Sequence, residues 1–132
     1  MIIDSKLIEY KSNIESIQAI DSLEVYRWLI SLGKKLEDNP LSKDKHTEKN
    51  RVSRCQFDLF VDWEENKFKA WSNAMIAAGY AYILVDIFNS MTEEEFMNTT
   101  VEDFKKMKLD EMLTMNRQTG FYQMIEMMLN KS

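Results

Sequence analysis

Gln56-Phe57-Asp58-Leu59-Phe60-Val61-Asp62-Trp63-Glu64-Glu65-Asn66-Lys67-Phe68-Lys69-Ala70-Trp71 is the stretch whose reading decides the fold. Phe57, Leu59, Val61 and Trp63 alternate with Gln56, Asp58, Phe60 and Asp62, the two-residue period of a β-strand. Glu64-Glu65-Asn66 supplies a turn, and Phe68 and Ala70 set against Lys67, Lys69 and Trp71 form a returning strand. So short a connection allows only antiparallel pairing. Outside one charged segment without a period, the rest of the chain repeats with a helical period.

Upstream, Leu7, Tyr10, Ile14 and Ile17 recur at steps of three and four, which predicts an amphipathic helix from Ser5 to Ile17. Asp21 followed by Glu24 reads as a capping box for a second helix with Tyr26, Leu29, Ile30, Gly33 and Leu36 on its apolar face. That helix stops before Pro40, which disfavours helical geometry in the residue preceding it. Leu41 to Asn50 shows no period and much charge, the pattern of a solvated loop, with His46 a solvated residue within it. Downstream, Ser72 is the N-cap of a helix from Ala74 to Asn89 that is apolar on nearly every side and therefore central. Thr92 with Glu95, Thr100 with Asp103, and Thr114 open three further helices. The last carries Phe121, Met124, Ile125, Met128 and Leu129 on one face. The expected fold is a single α+β domain over residues 1–132, mostly helical, with a small antiparallel sheet packed against the helices.

Composition narrows the chemistry. Three glycines and one proline, where average usage gives roughly nine and seven, disfavour a turn-rich all-β fold. A net charge of −5 argues against nucleic acid as partner. One cysteine excludes an internal disulfide and any cysteine-rich cluster site built by this chain alone. The start of the chain lacks the basic and apolar regions of a signal peptide. The longest uncharged apolar run, Ala74 to Val85, is 12 residues, too short for a bilayer. The expectation is a cytoplasmic protein with a free thiol, without membrane contact, monomeric or weakly dimeric.

That thiol is Cys55, between the charged segment and the first strand. The preceding stretch holds Lys43, Lys45, Lys49, Arg51 and Arg54 against only Asp44 and Glu48. Cations near a sulfur favour the thiolate, the form a sulfur nucleophile needs. The alternative is a small buried apolar residue, the commoner role of a lone intracellular cysteine. The crowded C-terminal methionines read as core filling, and Glu93-Glu94-Glu95 as first-turn acids favoured by the helix dipole.

Asn50-Arg51-Val52-Ser53-Arg54-Cys55-Gln56 resembles the Asn-Arg-Val-x-Gly-Cys-Gln motif of the SufE family, sulfur-acceptor partners of cysteine desulfurases. Further segments match in order. Ile30-Ser31-Leu32-Gly33 is similar to the family's Ile-x-Leu-Gly helix, and Ser72-Asn73-Ala74 with Gly79 to its Ser-Asp-Ala…Lys-Gly segment. Met91-Thr92-Glu93-Glu94-Glu95 resembles its Thr-Pro-x-Glu turn, and Leu113-Thr114-Met115-Asn116-Arg117-Gln118-Thr119-Gly120 its Leu-Thr-Pro-x-Arg-x-x-Gly signature. The resemblance implies a SufE/IscU-like fold and a persulfide-accepting Cys55, with Arg51, Gln56 and Arg117 in support. Arg54, where the family has glycine, reads either as a local stabiliser of the thiolate or as a docking charge for an acidic partner rim. Docking is the expectation, because the loop's other cations already supply charge near the thiol. Asn73 is expected at the same docking surface. It implies a cysteine desulfurase and an iron–sulfur scaffold or other sulfur acceptor as partners. No cofactor is implied for this chain, since pyridoxal phosphate belongs to the desulfurase. Phe57 and Phe60 are the aromatics expected to shelter the sulfur.

The departures are Arg54 for glycine, Phe57 for serine, Asn73 for aspartate, Met115 for proline and a shorter hairpin. Arginine resists backbone angles that glycine permits, so an altered cysteine loop is expected. The competing function is an interaction module that binds a desulfurase without carrying sulfur. A cluster scaffold is disfavoured, because it needs about three thiolate ligands.

Overall fold

The computed structural model of the chain describes residues 5–131. Residues 1–4, which open the stretch read for a targeting segment, lie outside the described residues. Strand β1 (Leu59–Glu64) returns antiparallel as β2 (Lys67–Ser72), with Val61 opposite Ala70 and Glu64 opposite Lys67. Glu65 and Asn66 make the turn with φ of 55° and 64°, the backbone of a two-residue hairpin whose twist suits its strands. Phe57, expected on the strand, is instead exposed in the loop before it. The reason lies at Asp58, whose N–H donates to Asn73 Oδ1 (3.1 Å) and whose carboxylate takes Arg51 (2.7 Å), so the ladder begins one residue later.

Both faces of the hairpin are covered. Leu59, Val61, Phe68 and Ala70 enter the core. On the other face the segment read as a solvated loop forms two 3-10 turns, Lys43–Lys45 and Glu48–Asn50. They carry His46 onto the aromatic cross-strand pair, its ring 5.0 Å from Phe60 and 4.7 Å from Trp71. His46 is therefore a packed residue. A single histidine stacked on two rings leaves no periodic signature, which is why the charge pattern misleads here.

Helix α1 (Ser5–Ile20) runs past its expected end and buries Leu7, Tyr10 and Ile14; the Tyr10 hydroxyl donates to Asp86 (2.6 Å). Helix α2 (Ser22–Leu36) is capped by Asp21, which accepts from the Leu23 N–H. Glu24 pairs with Arg27 (2.9 Å) rather than closing a capping box. α3 (Met75–Ser90) is the central helix, buried nearly all round and packed against α2, β2, α1 and α6. The boxes at Thr92 and Thr100 open α4 (Glu93–Met97) and α5 (Val101–Met107) as read from sequence. Thr114 precedes α6 (Met115–Leu129), but its hydroxyl donates to Asn116 Oδ1 (2.6 Å) instead of capping the backbone. No helix among the described residues is long and apolar enough to cross a membrane. The architecture is α+β.

At the end of the chain, Lys131 Nζ donates to buried Asn50 (2.7 Å) and lies 3.5 Å from Asp62, which also accepts from Asn50 (3.0 Å). Burial pushes the Asp62 carboxyl up. The Trp63 amide, Lys131, Asn50 and Lys45 together outweigh it and hold the group below its ordinary value of 3.8. A lowered folded-state value means that this stabilisation is fully present well above pH 3.8 and is lost as pH falls through the folded value. Asp62→Asn is expected to cost about 1 kcal/mol near neutral pH. The difference from the parent should vanish in acid, as read by urea unfolding at both pH values.

A second expectation concerns Gly79, where α2 and α3 meet. A Cβ there would fall on the Leu29 carbonyl, a backbone atom that cannot swing aside. Gly79→Ala should therefore destabilise the fold by about 1–3 kcal/mol, seen as a lowered melting temperature.

Candidate functional site

The cysteine lies in a loop closed at its base by backbone pairing. Arg51 bridges to Phe60, and the Val52 N–H donates to the Leu59 carbonyl (2.8 Å) while the Val52 side chain is fully buried. The Arg51 guanidinium pairs with Asp58 (2.7 Å) and lies 5.8 Å from the centre of the Phe60 ring. Asn73 and Ser72 clasp the other side of the loop. Asn73 accepts from the Asp58 N–H, and the Ser72 hydroxyl donates to the Asp58 carbonyl (2.7 Å). Beyond this base the chain turns sharply, with the Cys55 N–H bonded to the Val52 carbonyl (3.1 Å).

The tip of the loop rests on α6. Gln123 Oε1 accepts from the Arg54 N–H (2.7 Å), and its Nε2 donates to Ser53 Oγ (2.8 Å). One turn earlier, Gly120 allows the loop to come close, since a Cβ there would stand 3.4 Å from both Cα and Cβ of Cys55. Positive φ among the described residues other than glycine occurs at Glu65, Asn66 and Lys108. Arg54 thus needs no backbone conformation reserved for glycine.

Cys55 is a free thiol, half-buried at a cleft of about 300 Å³. The cleft brings together Cys55, Gln56 and Asn73 with Arg117 from α6. Ile30, Phe57, Ala77 and Tyr80 give it an apolar wall. Phe57 therefore faces the sulfur's cleft, as expected, whereas Phe60 is occupied by His46 and Trp71 on the far side of the hairpin. Arg51 is a tether of the loop base and does not line the cleft, and the Arg54 side chain is exposed beside it. The expected cationic surround is likewise redistributed. Lys45 pairs with Asp62 (3.6 Å) and Arg51 with Asp58, so the cation on the cleft is Arg117, whose guanidinium lies over the Tyr26 ring at 5.8 Å.

Tyr80 and Gln123 escaped the sequence reading, and Gly120 entered it only as the last residue of a signature, with no role at the site. Tyr80 is 1% exposed, and its hydroxyl lies 3.7 Å from Cys55 Sγ. Burial first, and then the neighbouring sulfur, raise the Tyr80 phenol far above the ordinary tyrosine value, while Arg117 opposes the shift; the group stays protonated and can donate. Gly120 and Gln123 support the loop from α6 without lining the cleft. A signal for both was present: Arg117, Gly120 and Gln123 recur every three residues, so one edge of α6 faces the loop. For Tyr80 the signal is a phenol inside an otherwise aliphatic helix, since a buried hydroxyl needs a partner. Among the described residues no group of three or more His, Cys, Asp or Glu is placed to hold a metal ion.

Residues 11–132 match the family model described as "SufE: Fe-S metabolism associated domain". The chain is also 28% identical over 116 residues to an uncharacterised SufE-like protein of Synechocystis sp., a match covering 85% of this chain and 72% of that protein. With the family match spanning nearly the whole sequence, the chain belongs to the SufE family and is associated with iron–sulfur metabolism.

Gln123 is the residue on which the loop tip depends for its side-chain hydrogen bonds to α6. Gln123→Ala should leave the melting temperature nearly unchanged, because it removes no core packing. Hydrogen exchange at the Arg54 amide should accelerate about threefold to tenfold, as measured by NMR or mass spectrometry.

Proposed function

We infer that this chain is a sulfur acceptor for a cysteine desulfurase, with Cys55 as the residue that carries the sulfur. The observation that carries this reading is the position of the only cysteine, half-buried at a cleft on a loop held to the body mainly by polar contacts. A cysteine serving only as core filler would be fully enclosed and would have no cleft beside it. Family membership adds the link to iron–sulfur metabolism.

The chemistry is transfer between sulfur atoms without net oxidation. The desulfurase presents a cysteine persulfide, R–S–SH. The Cys55 thiolate attacks the outer sulfur, a new S–S bond forms to Cys55, and the original S–S bond breaks. The desulfurase sulfur departs as a thiolate, leaving Cys55–S–SH. As in thiol–disulfide exchange, the rate depends on thiolate fraction, nucleophilicity and access. The apolar wall of the cleft keeps water and oxidants from the loaded sulfur. Arg117 and Gln56 line the space the added sulfur would enter, and Arg117 supplies positive charge there. Exposed Arg54 is suited to steer an acidic partner surface onto the loop. The sulfur then passes to a cluster scaffold or another acceptor in the cytoplasm. The pyridoxal phosphate that releases it from free cysteine belongs to the desulfurase.

The test is intact-mass measurement after incubation with a desulfurase, pyridoxal phosphate and cysteine. The parent chain should gain one sulfur. Cys55→Ser should gain none and fail to stimulate the desulfurase, with a melting temperature close to the parent's. Stimulation retained by Cys55→Ser would assign the chain to binding without carriage.

A further inference from the structure

Tyr80 follows Gly79 on α3 and is one of the most completely buried side chains in the protein, at 1% exposure. Its ring is fixed edge-on against Phe121, centroids 5.6 Å apart at 88°. Among the described residues its hydroxyl has a single hydrogen-bond partner, the sulfur of Cys55 at 3.7 Å. The α6 side leaves the pair little room. A Cβ on Gly120 would stand 3.1 Å from the Tyr80 hydroxyl and 3.4 Å from the Cys55 backbone, so three residues from three elements converge at one point. A buried hydroxyl with one available acceptor is committed to it.

We propose that Tyr80 is the hydrogen-bond donor that sets the reactivity of the Cys55 sulfur, holding the thiolate in the cleft and stabilising it again as the leaving group when sulfur is delivered. This rests on the reading of Cys55 as the reacting sulfur. A hydrogen bond to an anion is shorter and stronger than one to a neutral group, so the long contact to the resting thiol contracts when the proton leaves. The phenol keeps its own proton throughout, since burial beside the sulfur disfavours its ionisation.

Two consequences oppose each other. A donor on the thiolate increases its population at neutral pH but lowers the nucleophilicity of each thiolate. In delivery, an acceptor thiolate R′–S⁻ attacks the outer sulfur of Cys55–S–SH. The products are R′–S–SH and the Cys55 thiolate, and the donor stabilises that departing thiolate. Tyr80 thus favours a carrier that holds sulfur in shelter and releases it readily.

The experiment is the rate of Cys55 alkylation by iodoacetamide from neutral to alkaline pH, in the isolated chain and without a desulfurase. Tyr80→Phe keeps the ring and its contact with Phe121 and removes only the donor. It should slow alkylation near neutral pH by roughly tenfold and match or exceed the parent at alkaline pH, so that the two profiles cross or converge. A loosened cleft would behave differently, raising the rate at every pH, and that result overturns the proposal. So does a profile that follows the parent throughout. Should Tyr80→Phe fail to fold, Gly120→Ala, which crowds the hydroxyl away from the sulfur, decides between the same outcomes. Because no partner is present, this test can fail while sulfur acceptance in the mass measurement succeeds. The converse also holds, so the two readings stand or fall separately.

Discussion

The site depends first on how closely α2 and α3 approach at Gly79. Its missing side chain leaves room for the Leu29 carbonyl, so the two helices approach to backbone distance there, as they do again where Gly33 faces the Met75 carbonyl. That spacing fixes the rotation of α3 about its axis. Ala77 and Tyr80 then face the cleft, and Ile30 reaches the same cleft from α2. A wider separation would draw Ile30 away from Tyr80 and open the cleft between them. The core thus reaches the site through the close α2–α3 packing at Gly79 and Gly33, and the apolar wall of the cleft is an extension of the core.

Against that rigid floor, the cysteine loop is held in a different way. Its base is anchored by strand-like pairing, the buried Val52 and the Arg51–Asp58 pair. Its tip is held by the two hydrogen bonds of Gln123 and the contact between Tyr80 and Cys55. Hydrogen bonds of this kind contribute only about 0.5–1.5 kcal/mol each, far less than burial of a large side chain. The tip is therefore held less firmly than the base and the hairpin beneath it. Phe57 is the exception, an apolar side chain at the tip that is already half exposed and loses little by moving.

What the sequence made legible follows from the physics of periodic patterns. The hairpin, the helices and the capping boxes at Thr92 and Thr100 were readable because each is set by neighbours a few residues apart. Cys55 was readable by elimination and by the motif around it. The contacts that escaped were long-range ones carried by single residues. His46 packs on Phe60 and Trp71 from across the hairpin, and nothing within the local sequence distinguishes it from a solvated histidine. Lys131 reaches Asn50 across 81 positions, and Gln123 reaches Ser53 across 70. The cationic segment misled for a related reason. Charge counted along a chain does not reveal that Asp58 and Asp62 sit opposite Arg51 and Lys45, and that the cation on the cleft arrives from α6.

The departures from the family motif become intelligible on these terms. Glycine before the cysteine is not required by the backbone, because Arg54 sits outside the left-handed region and its N–H, which any residue supplies, is the group bound by Gln123. The side chain at 54 is thereby free to serve the surface alone. Asn73 in place of aspartate keeps the oxygen that accepts from the Asp58 N–H and carries one negative charge fewer. The loop therefore keeps its polar base while its outer face changes. Selection for a particular partner can act on Arg54 without disturbing the seat of the sulfur.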